Sequence, residues 1–320
     1  MKRMKKAAAV LAAVALLGAL AACSGASSGT YKIGICQLVQ HPALDAATQG
    51  FQDALKEKLG DKVSFEIQNA SGESPNCTTI INGFVSAKKD LILANATAPL
   101  QSAAAATTTI PILGTSVTDY GTALDMADWT GVTGRNISGT TDLAPLDGQA
   151  AMIQEMFPEA KNVGILYCSA EPNSKYQSTV IQGYLTEMGM TCTEYTFSDT
   201  NDLAAVAGAA AAASDVIYVP TDNTAASNAE LIKNVVVPAG VPVVAGEEGI
   251  CKGCGVATLS ISYYDLGYKT GEMAYDILVN GADVSTLTVE SAPNFTKMYN
   301  PSICEALGIT PPEGYTAIGE

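Results

Sequence analysis

Hydrophobic and polar positions alternate along the first third of the chain in a way that predicts strands followed by helices. Short apolar runs predict buried strands at 32–38, 63–70, 91–96 and 110–117. Amphipathic stretches between them predict helices at 42–59, 76–87 and 100–108. Because strands that alternate with helices indicate parallel βαβ units, we expect an α/β unit with a parallel central sheet.

A second series of the same kind follows the polar, Gly-rich stretch 131–142. Helices are predicted at 145–157, 173–188, 202–213 and 225–235, and strands at 162–169, 192–197, 216–221 and 241–245. A further strand at 256–262 and a helix at 265–279 exceed what one half requires. The pattern therefore predicts two similar α/β halves in tandem, with a chain that crosses between them more than once.

The first 22 residues have the order of a secretory signal. Four positive charges precede an apolar run at 7–22, which ends in the tetrapeptide Leu20-Ala21-Ala22-Cys23. The run is shorter than the roughly 20 residues that span a bilayer. It resembles a bacterial lipobox, which implies that Cys23 carries diacylglycerol and becomes the mature N-terminus; an uncleaved anchor and an ordinary signal peptide are the alternatives. Residues 23–30 would then be the lipidated cysteine and a flexible tether with a reach of roughly 14 Å.

The net charge of the chain limits the kinds of molecule that it is expected to bind. The first six residues hold four of the 17 basic residues and none of the 32 acidic ones, so the chain from Cys23 carries a formal charge of about −19. Such a surface argues against nucleic acid or anionic lipid as a partner. The roughly 290 residues behind the tether are enough for two domains of ordinary size.

Polar residues follow the predicted strands of both halves. Ligands bind outside the carboxyl ends of parallel strands, so these positions predict a cleft. Proline follows three of the junctions, where free backbone N–H groups suit an anion, and the carboxylates of Asp222 or Glu247 suit an ammonium group. The alternative is that these residues are ordinary helix caps and turn residues. The positions are Gln37, His41, Asn95, Thr97, Ser116, Thr118, Asn173, Ser174, Asp222, Asn223 and Glu247.

Seven segments resemble the ABC-transporter substrate-binding lipoproteins that include tryptophan- and tyrosine-binding members. They occur in order between about Ile33 and Ile309, nearly the whole mature chain. The segments are 37–45 (QLVQHPALD), 90–97 (DLILANAT), 115–119 (TSVTD), 170–174 (AEPNS), 220–224 (PTDNT), 245–249 (AGEEG) and 263–267 (YYDLG).

The resemblance implies a periplasmic-binding-protein fold of type I, in which two Rossmann-like lobes with parallel central sheets are joined by a hinge of three crossings. The N-terminal lobe would comprise 31–140 and 253–283, and the C-terminal lobe 141–252 and 284–320. The hinge crossings would lie near 138–142, 248–255 and 282–289.

The function that the resemblance implies is an extracytoplasmic, lipid-anchored and monomeric binding protein, not an enzyme, with no cofactor or metal. It would capture a small ligand, an aromatic amino acid by expectation, and hand it to an ABC permease with its cytoplasmic ATPase. Gln37, His41, Asn95, Thr97, Ser116 and Thr118 would contact the ligand from one lobe, Ala170, Asn173, Ser174, Asp222 and Asn223 from the other, and Glu247 and Tyr264 near the hinge.

The cysteines depart from the family pattern. Cys36 and Cys168 stand where other residues are usual, and Cys251-Lys252-Gly253-Cys254 lies in a loop that usually lacks cysteine. Seven cysteines remain after Cys23, and an odd number leaves at least one unpaired. The C-x-x-C spacing fits a loop disulfide or free thiols, with a metal or redox function as the alternative.

Two other functions remain as alternatives. A sensor of the same fold would pass the closed shape to a membrane signalling partner. A cleft enzyme would need a base, and His41 is the only histidine, but no nucleophile or catalytic motif accompanies it.

Overall fold

The computed structural model describes residues 29–292 and 294–319. The predicted signal sequence, Cys23 and most of the tether lie outside the described residues. Within the described part of the chain, no helix is both long and apolar enough to cross a membrane.

The first lobe is built on a six-stranded sheet whose pairings are all parallel. Its strands are β1 (Tyr31–Gln37), β2 (Val63–Asn69), β3 (Leu91–Asn95), β4 (Ile112–Val117), β5 (Ile137–Thr141) and β11 (Glu290–Ser291). They lie in the sheet in the order β11-β5-β4-β3-β1-β2. Its helices are α1 (Pro42–Leu59), α2 (Ser74–Ser86), α3 (Thr97–Ala106), α4 (Tyr120–Ala123) and α11 (Tyr263–Leu278), with 3₁₀ turns at Gly60–Lys62 and Val284–Thr286.

The second lobe is built on a seven-stranded sheet of order β13-β12-β10-β9-β8-β6-β7, in which only the β10–β12 pair is antiparallel. Its strands are β6 (Asn162–Cys168), β7 (Thr191–Phe197), β8 (Val216–Val219), β9 (Val243–Ala245), β10 (Ala257–Ser260), β12 (Thr296–Tyr299) and β13 (Thr316–Ala317). Its helices are α5 (Leu146–Met156), α6 (Pro172–Glu187), α7 (Thr200–Ala213), α8 (Asn223–Ser227), α9 (Ala229–Val236), α10 (Glu248–Cys254) and α12 (Pro301–Leu307).

The chain passes between the lobes three times, after β5, after β10 and after β11. The second and third crossings lie later in the chain than the expected 248–255 and 282–289. Gly255 is not a hinge residue, because it caps α10 and leads into β10, which pairs with β9 of the second sheet. β11 likewise returns to the first sheet beside β5. The expected boundaries therefore misplace β10 and β11, whose lobes are decided by strand pairing.

Close packing of α1 against α11 joins the two segments of the first lobe. A Cβ atom at Gly267 would lie 1.9 Å from the carbonyl oxygen of Ala47, and one at Gly50 would lie 2.1 Å from that of Tyr264. Both distances are far below van der Waals contact, so only glycine permits the approach. This packing holds α11, which begins at the second crossing, against α1.

Candidate functional site

Four buried polar atoms without a hydrogen-bond partner lie at the carboxyl ends of neighbouring strands of the first lobe. They are His41 Nδ1, Asn95 Oδ1, Ser116 Oγ and Asp142 Oδ1. In sheet order they lie at or just beyond the ends of β1, β3, β4 and β5, so each of four adjacent strands contributes one. Because a buried polar group without a partner costs about 1–3 kcal/mol, this row indicates a place that a ligand completes.

The backbone at two of these strand ends is strained. Ala96, directly after Asn95, has φ 102° and ψ 170°, a conformation that belongs to glycine, and Ser116 has φ 54°. The β4–β5 pairing is also irregular between Gly114 and Val117. Strained non-glycine residues cost about 1–3 kcal/mol each and concentrate at ligand sites, so the backbone agrees with the unpaired atoms.

Asn95 is held so that only its oxygen is free. Its Nδ2 donates to the Leu44 carbonyl at 2.8 Å and to Thr48 Oγ1 at 2.9 Å. The Thr48 hydroxyl in turn donates to Gln37 Oε1 at 2.7 Å, while Gln37 Nε2 donates to Asp45 Oδ1 at 2.7 Å. Gln37 is therefore satisfied within the first lobe, and it positions Asn95.

Asp142 lies at the start of the first crossing between the lobes, and Tyr263 lies at the end of the second crossing. The two side chains are in contact. The Tyr263 hydroxyl donates to Asp142 Oδ2 at 2.8 Å, and both side chains are buried. Burial raises the pKa of the Asp142 carboxyl, although hydrogen bonds from Tyr263 and Thr118 act in the opposite direction. A cation placed at the free Oδ1 would stabilise the ionised carboxylate.

His41 reaches across the cleft to the second lobe. Its Nε2 lies 3.3 Å from Asn223 Oδ1, and Asn223 Nδ2 donates to Glu171 Oε2 at 2.7 Å. Burial lowers the pKa of the His41 imidazole, and the hydrogen bond with Asn223 and the carboxylates of Glu171 and Asp45 partly offset this effect. This contact joins the two lobes directly.

Asp222 and Glu247 are buried helix caps. Asp222 accepts from the backbone N–H groups of Cys168 and Ala225, both at 2.7 Å. Glu247 accepts from the N–H groups of Gly249 and Ile250. Burial raises the pKa of both carboxyls, that of Glu247 to about 7. Each of their oxygens thus has a backbone donor, whereas Oδ1 of Asp142 has no partner among the described residues.

The other expected residues divide between the cleft and its surroundings. Thr97, Thr118 and Ser174 are buried, and Asn173 Nδ2 donates to the Thr221 carbonyl at 3.1 Å, which fixes the start of α6. Tyr264 is 40% exposed, and its hydroxyl donates to Asp53 Oδ2 on α1 at 3.2 Å. It lines the same groove between the lobes as its neighbour Tyr263, which is buried.

Two grooves lie between the lobes, and residues of both lobes line each. One, of about 470 Å³, includes Val39, Ala170 and Asn223 and opens on the side of β2 and β7. The other, of about 410 Å³, includes Pro42 and Tyr263 and opens near the hinge. His41 lies in the chain between Val39, which lines the first groove, and Pro42, which lines the second.

The cysteines of the described residues are free thiols, and all but Cys192 are buried. Cys251 and Cys254 lie on one helix, α10, and no disulfide joins them. Burial raises the pKa of both thiols, so they are neutral and unreactive. No group of three or more His, Cys, Asp or Glu side chains in the described ranges is placed to hold a metal ion.

Three residues of the site were absent from the expected set. Glu171 accepts from both Asn223 and Thr224, Asp142 carries an unpaired oxygen, and Tyr263 holds Asp142. Glu171 and Tyr263 lie within the segments 170–174 and 263–267 that resemble the family, so a sequence signal was present for both. Asp142 lies in none of the seven segments, and the sequence indicated only a hinge position for it.

Comparison with known proteins agrees with this architecture. Residues 32–317 match the family described as ABC transporter substrate binding protein. The chain belongs to that family. It is 35% identical over 278 residues to a tyrosine-binding protein of Clostridioides difficile (strain R20291), covering 86% of this chain and 80% of that one. It is thus a binding protein and not an enzyme.

Two solved structures indicate the arrangement of the lobes. An ABC domain from Streptococcus pneumonia in complex with L-Trp is 30% identical, with a TM-score of 0.86 over 91% of this chain and 100% of that one. A ligand-free, open substrate binding protein from Clostridium difficile is 36% identical but has a TM-score of only 0.69, over 90% and 99%. The TM-score with the L-Trp-bound protein is higher than that with the ligand-free, open one, and in this chain the His41–Asn223 contact joins the two lobes. More distant amino-acid-binding proteins share the same type I fold, which is confirmed.

Proposed function

We propose that this protein is the extracytoplasmic, Cys23-anchored binding protein of an ABC importer, and that it captures an aromatic α-amino acid between its lobes. Family membership supports the role in transport, and the tyrosine- and L-Trp-binding relatives support the ligand class. The observation that carries the proposal is the row of unpaired atoms along four adjacent strand ends.

The chemistry of that row favours a ligand with an ammonium group. Asn95 offers only its oxygen, because both hydrogens of its amide are in use. Asp142, when ionised, also offers only an acceptor, and Ser116 can accept or donate. An ammonium group presents three donors and a positive charge, so it suits Asp142 Oδ1 and a neighbouring acceptor better than a sugar hydroxyl does.

Closure follows from contacts on both lobes. Asn95, Ser116 and Asp142, which would accept from the ligand, belong to the first lobe. Asn223 and Glu171 approach from the second lobe. A ligand that contacts both lobes binds the closed form more tightly and shifts the population towards it. We propose that the permease, with its cytoplasmic ATPase, recognises this closed form.

A thermal-shift screen tests the ligand class. The protein without residues 1–23 is mixed with aromatic and aliphatic amino acids, sugars and nucleosides. A ligand at 100 times its Kd adds about 2.7 kcal/mol of stability, which corresponds to a rise of about 5–10 °C in Tm. We expect this for aromatic amino acids and not for their analogues without the α-amino group. A response to sugars alone would contradict the proposal.

Fractionation tests the anchor separately. The full chain should be found with the membrane, and the Cys23→Ser variant, which keeps the apolar run but lacks the acceptor thiol, should lose the lipid. Intact mass measurement of the unsubstituted protein should show the added diacylglycerol. An unmodified Cys23 would refute the anchor and leave the ligand class untouched.

A further inference from the structure

The hydrogen bonds of the second lobe fix the tautomer of His41. Asn223 Nδ2 donates to Glu171 Oε2 at 2.7 Å, so Asn223 turns its Oδ1 towards His41 Nε2, 3.3 Å away. A carbonyl oxygen can only accept, so Nε2 must carry the hydrogen. In the neutral imidazole the other nitrogen, Nδ1, is then an acceptor.

That acceptor is buried and unpaired. His41 is 6% exposed, and its Nδ1 has no hydrogen-bond partner among the residues that the structure describes. Burial lowers the pKa of the ring against the opposing effects of Glu171 and Asp45, which keeps the imidazole neutral at neutral pH. Nδ1 therefore requires a hydrogen-bond donor from outside the protein.

The ammonium group that meets Asp142 is too far away to supply this donor. Asp142 follows β5 and His41 follows β1, and β4 and β3 lie between those strands. Three strand intervals amount to about 14 Å. A single nitrogen that forms hydrogen bonds of about 2.9 Å cannot reach acceptors at both ends of the row. The ligand that completes the row has donors at two separate ends.

We infer that His41 determines specificity by accepting a hydrogen bond, through Nδ1, from a ring hydroxyl or ring N–H at the end of the ligand opposite its ammonium group. This inference rests on the proposed function and names the substrate class more closely, as aromatic amino acids whose ring carries a donor. A plain phenyl ring would leave Nδ1 buried without a partner, and such a site rejects the ligand that lacks the group.

Two substitutions of His41 test its acceptor Nδ1 separately from the bond between its Nε2 and Asn223. The amide of His41→Gln places a donor near the position of Nε2, so it keeps the bond to Asn223 and removes the acceptor at Nδ1. The shorter His41→Asn places an amide oxygen near the position of Nδ1, so it keeps the acceptor and removes the bond to Asn223. The two variants have the same polarity and differ in the function that each retains.

Calorimetric titration of the full chain in mild detergent with tyrosine, tryptophan and phenylalanine tests the inference. We expect the unsubstituted protein to bind tyrosine or tryptophan at least tenfold more tightly than phenylalanine. His41→Gln should abolish that preference, and His41→Asn should retain it while affinity for all three falls. Equal affinity of the unsubstituted protein for all three leaves the proposed function intact and overturns the role of His41. Failure to bind any of them refutes the proposed function itself.

A spectroscopic readout checks the tautomer without relying on affinity. Since His41 is the only histidine of the chain, ¹⁵N-labelled histidine gives one pair of ring nitrogen signals. We expect a protonated Nε2 and an unprotonated Nδ1 whose signal shifts when tyrosine or tryptophan is added, but not when phenylalanine is. A protonated Nδ1 in the bound protein would overturn the inference.

Discussion

Replacing Asp142 by asparagine tests the binding site most directly. The carboxylate is 4% exposed, with Oδ2 held by the Tyr263 hydroxyl at 2.8 Å and Oδ1 unpaired. Asparagine has almost the same shape and keeps an oxygen for Tyr263, but it places an uncharged amide where the carboxylate oxygen faced the ligand. The substitution therefore removes one charge-assisted hydrogen bond and little else.

The expected loss follows from that single bond. A hydrogen bond to a charged group contributes about 1.5–3 kcal/mol, so the Kd should rise about 10- to 150-fold. Without ligand the effect on stability has the opposite sign. Because burial raises the pKa of the Asp142 carboxyl, its ionised form destabilises the empty protein, and the variant should have an equal or higher Tm.

Calorimetry with tyrosine and with its analogue lacking the α-amino group identifies the partner of Asp142. The Kd for tyrosine should rise and that for the analogue should stay the same. Asp53→Asn is the matched control, because Asp53 also accepts from a tyrosine hydroxyl, that of Tyr264, but on the outer face of α1. An equal loss for tyrosine and analogue, or unchanged affinity for tyrosine, would refute the assignment.

Three further outcomes follow from the structure. Ligand affinity should fall as the pH is lowered through the raised pKa of the Asp142 carboxyl, because protonation neutralises the group that faces the ammonium; a flat profile by calorimetry would contradict that role. The stability of the empty protein should rise as the pH is lowered from 8 to 5, because burial raises the pKa of Glu247 to about 7 and the folded state then binds a proton more tightly than the unfolded state does; Glu247→Gln should make this dependence shallower in thermal melts. Gly267→Ala should lose about 1–3 kcal/mol of stability in denaturant titration, whereas Gly183→Ala, where a Cβ atom meets nothing within 4 Å, should lose none.

β5 shows where sequence reasoning was insufficient for the fold. Its residues Ile137–Thr141 are mostly polar, and the stretch was interpreted as a boundary between the halves. The strand is nevertheless buried, because Thr140 shares hydrogen bonds with Thr115 and Thr270, and Ser138 donates to the Leu287 carbonyl. A polar strand of this kind is recognisable only when its distant partners are known.

The candidate site also has features that the sequence predicted and features that it did not. The carboxyl ends of the strands predicted a polar cleft, and His41, Asn95 and Ser116 lie in it with unpaired atoms. The role of Asp222 could not be predicted, because an aspartate after a strand is equally an N-cap and a ligand contact. In the structure it accepts from the N–H groups of Cys168 and Ala225, and the second of these bonds caps α8.

The sequence by itself determined the α/β class, the presence of two lobes and the polar character of the strand ends, because hydrophobic periodicity and strand–helix alternation are local properties. Only the tertiary structure decided which sheet receives β10 and β11, which of two adjacent tyrosines is buried against Asp142, and which polar atoms remain unpaired. Those features depend on pairing and hydrogen bonds between residues far apart in the chain, such as Tyr263 and Asp142, 121 positions apart.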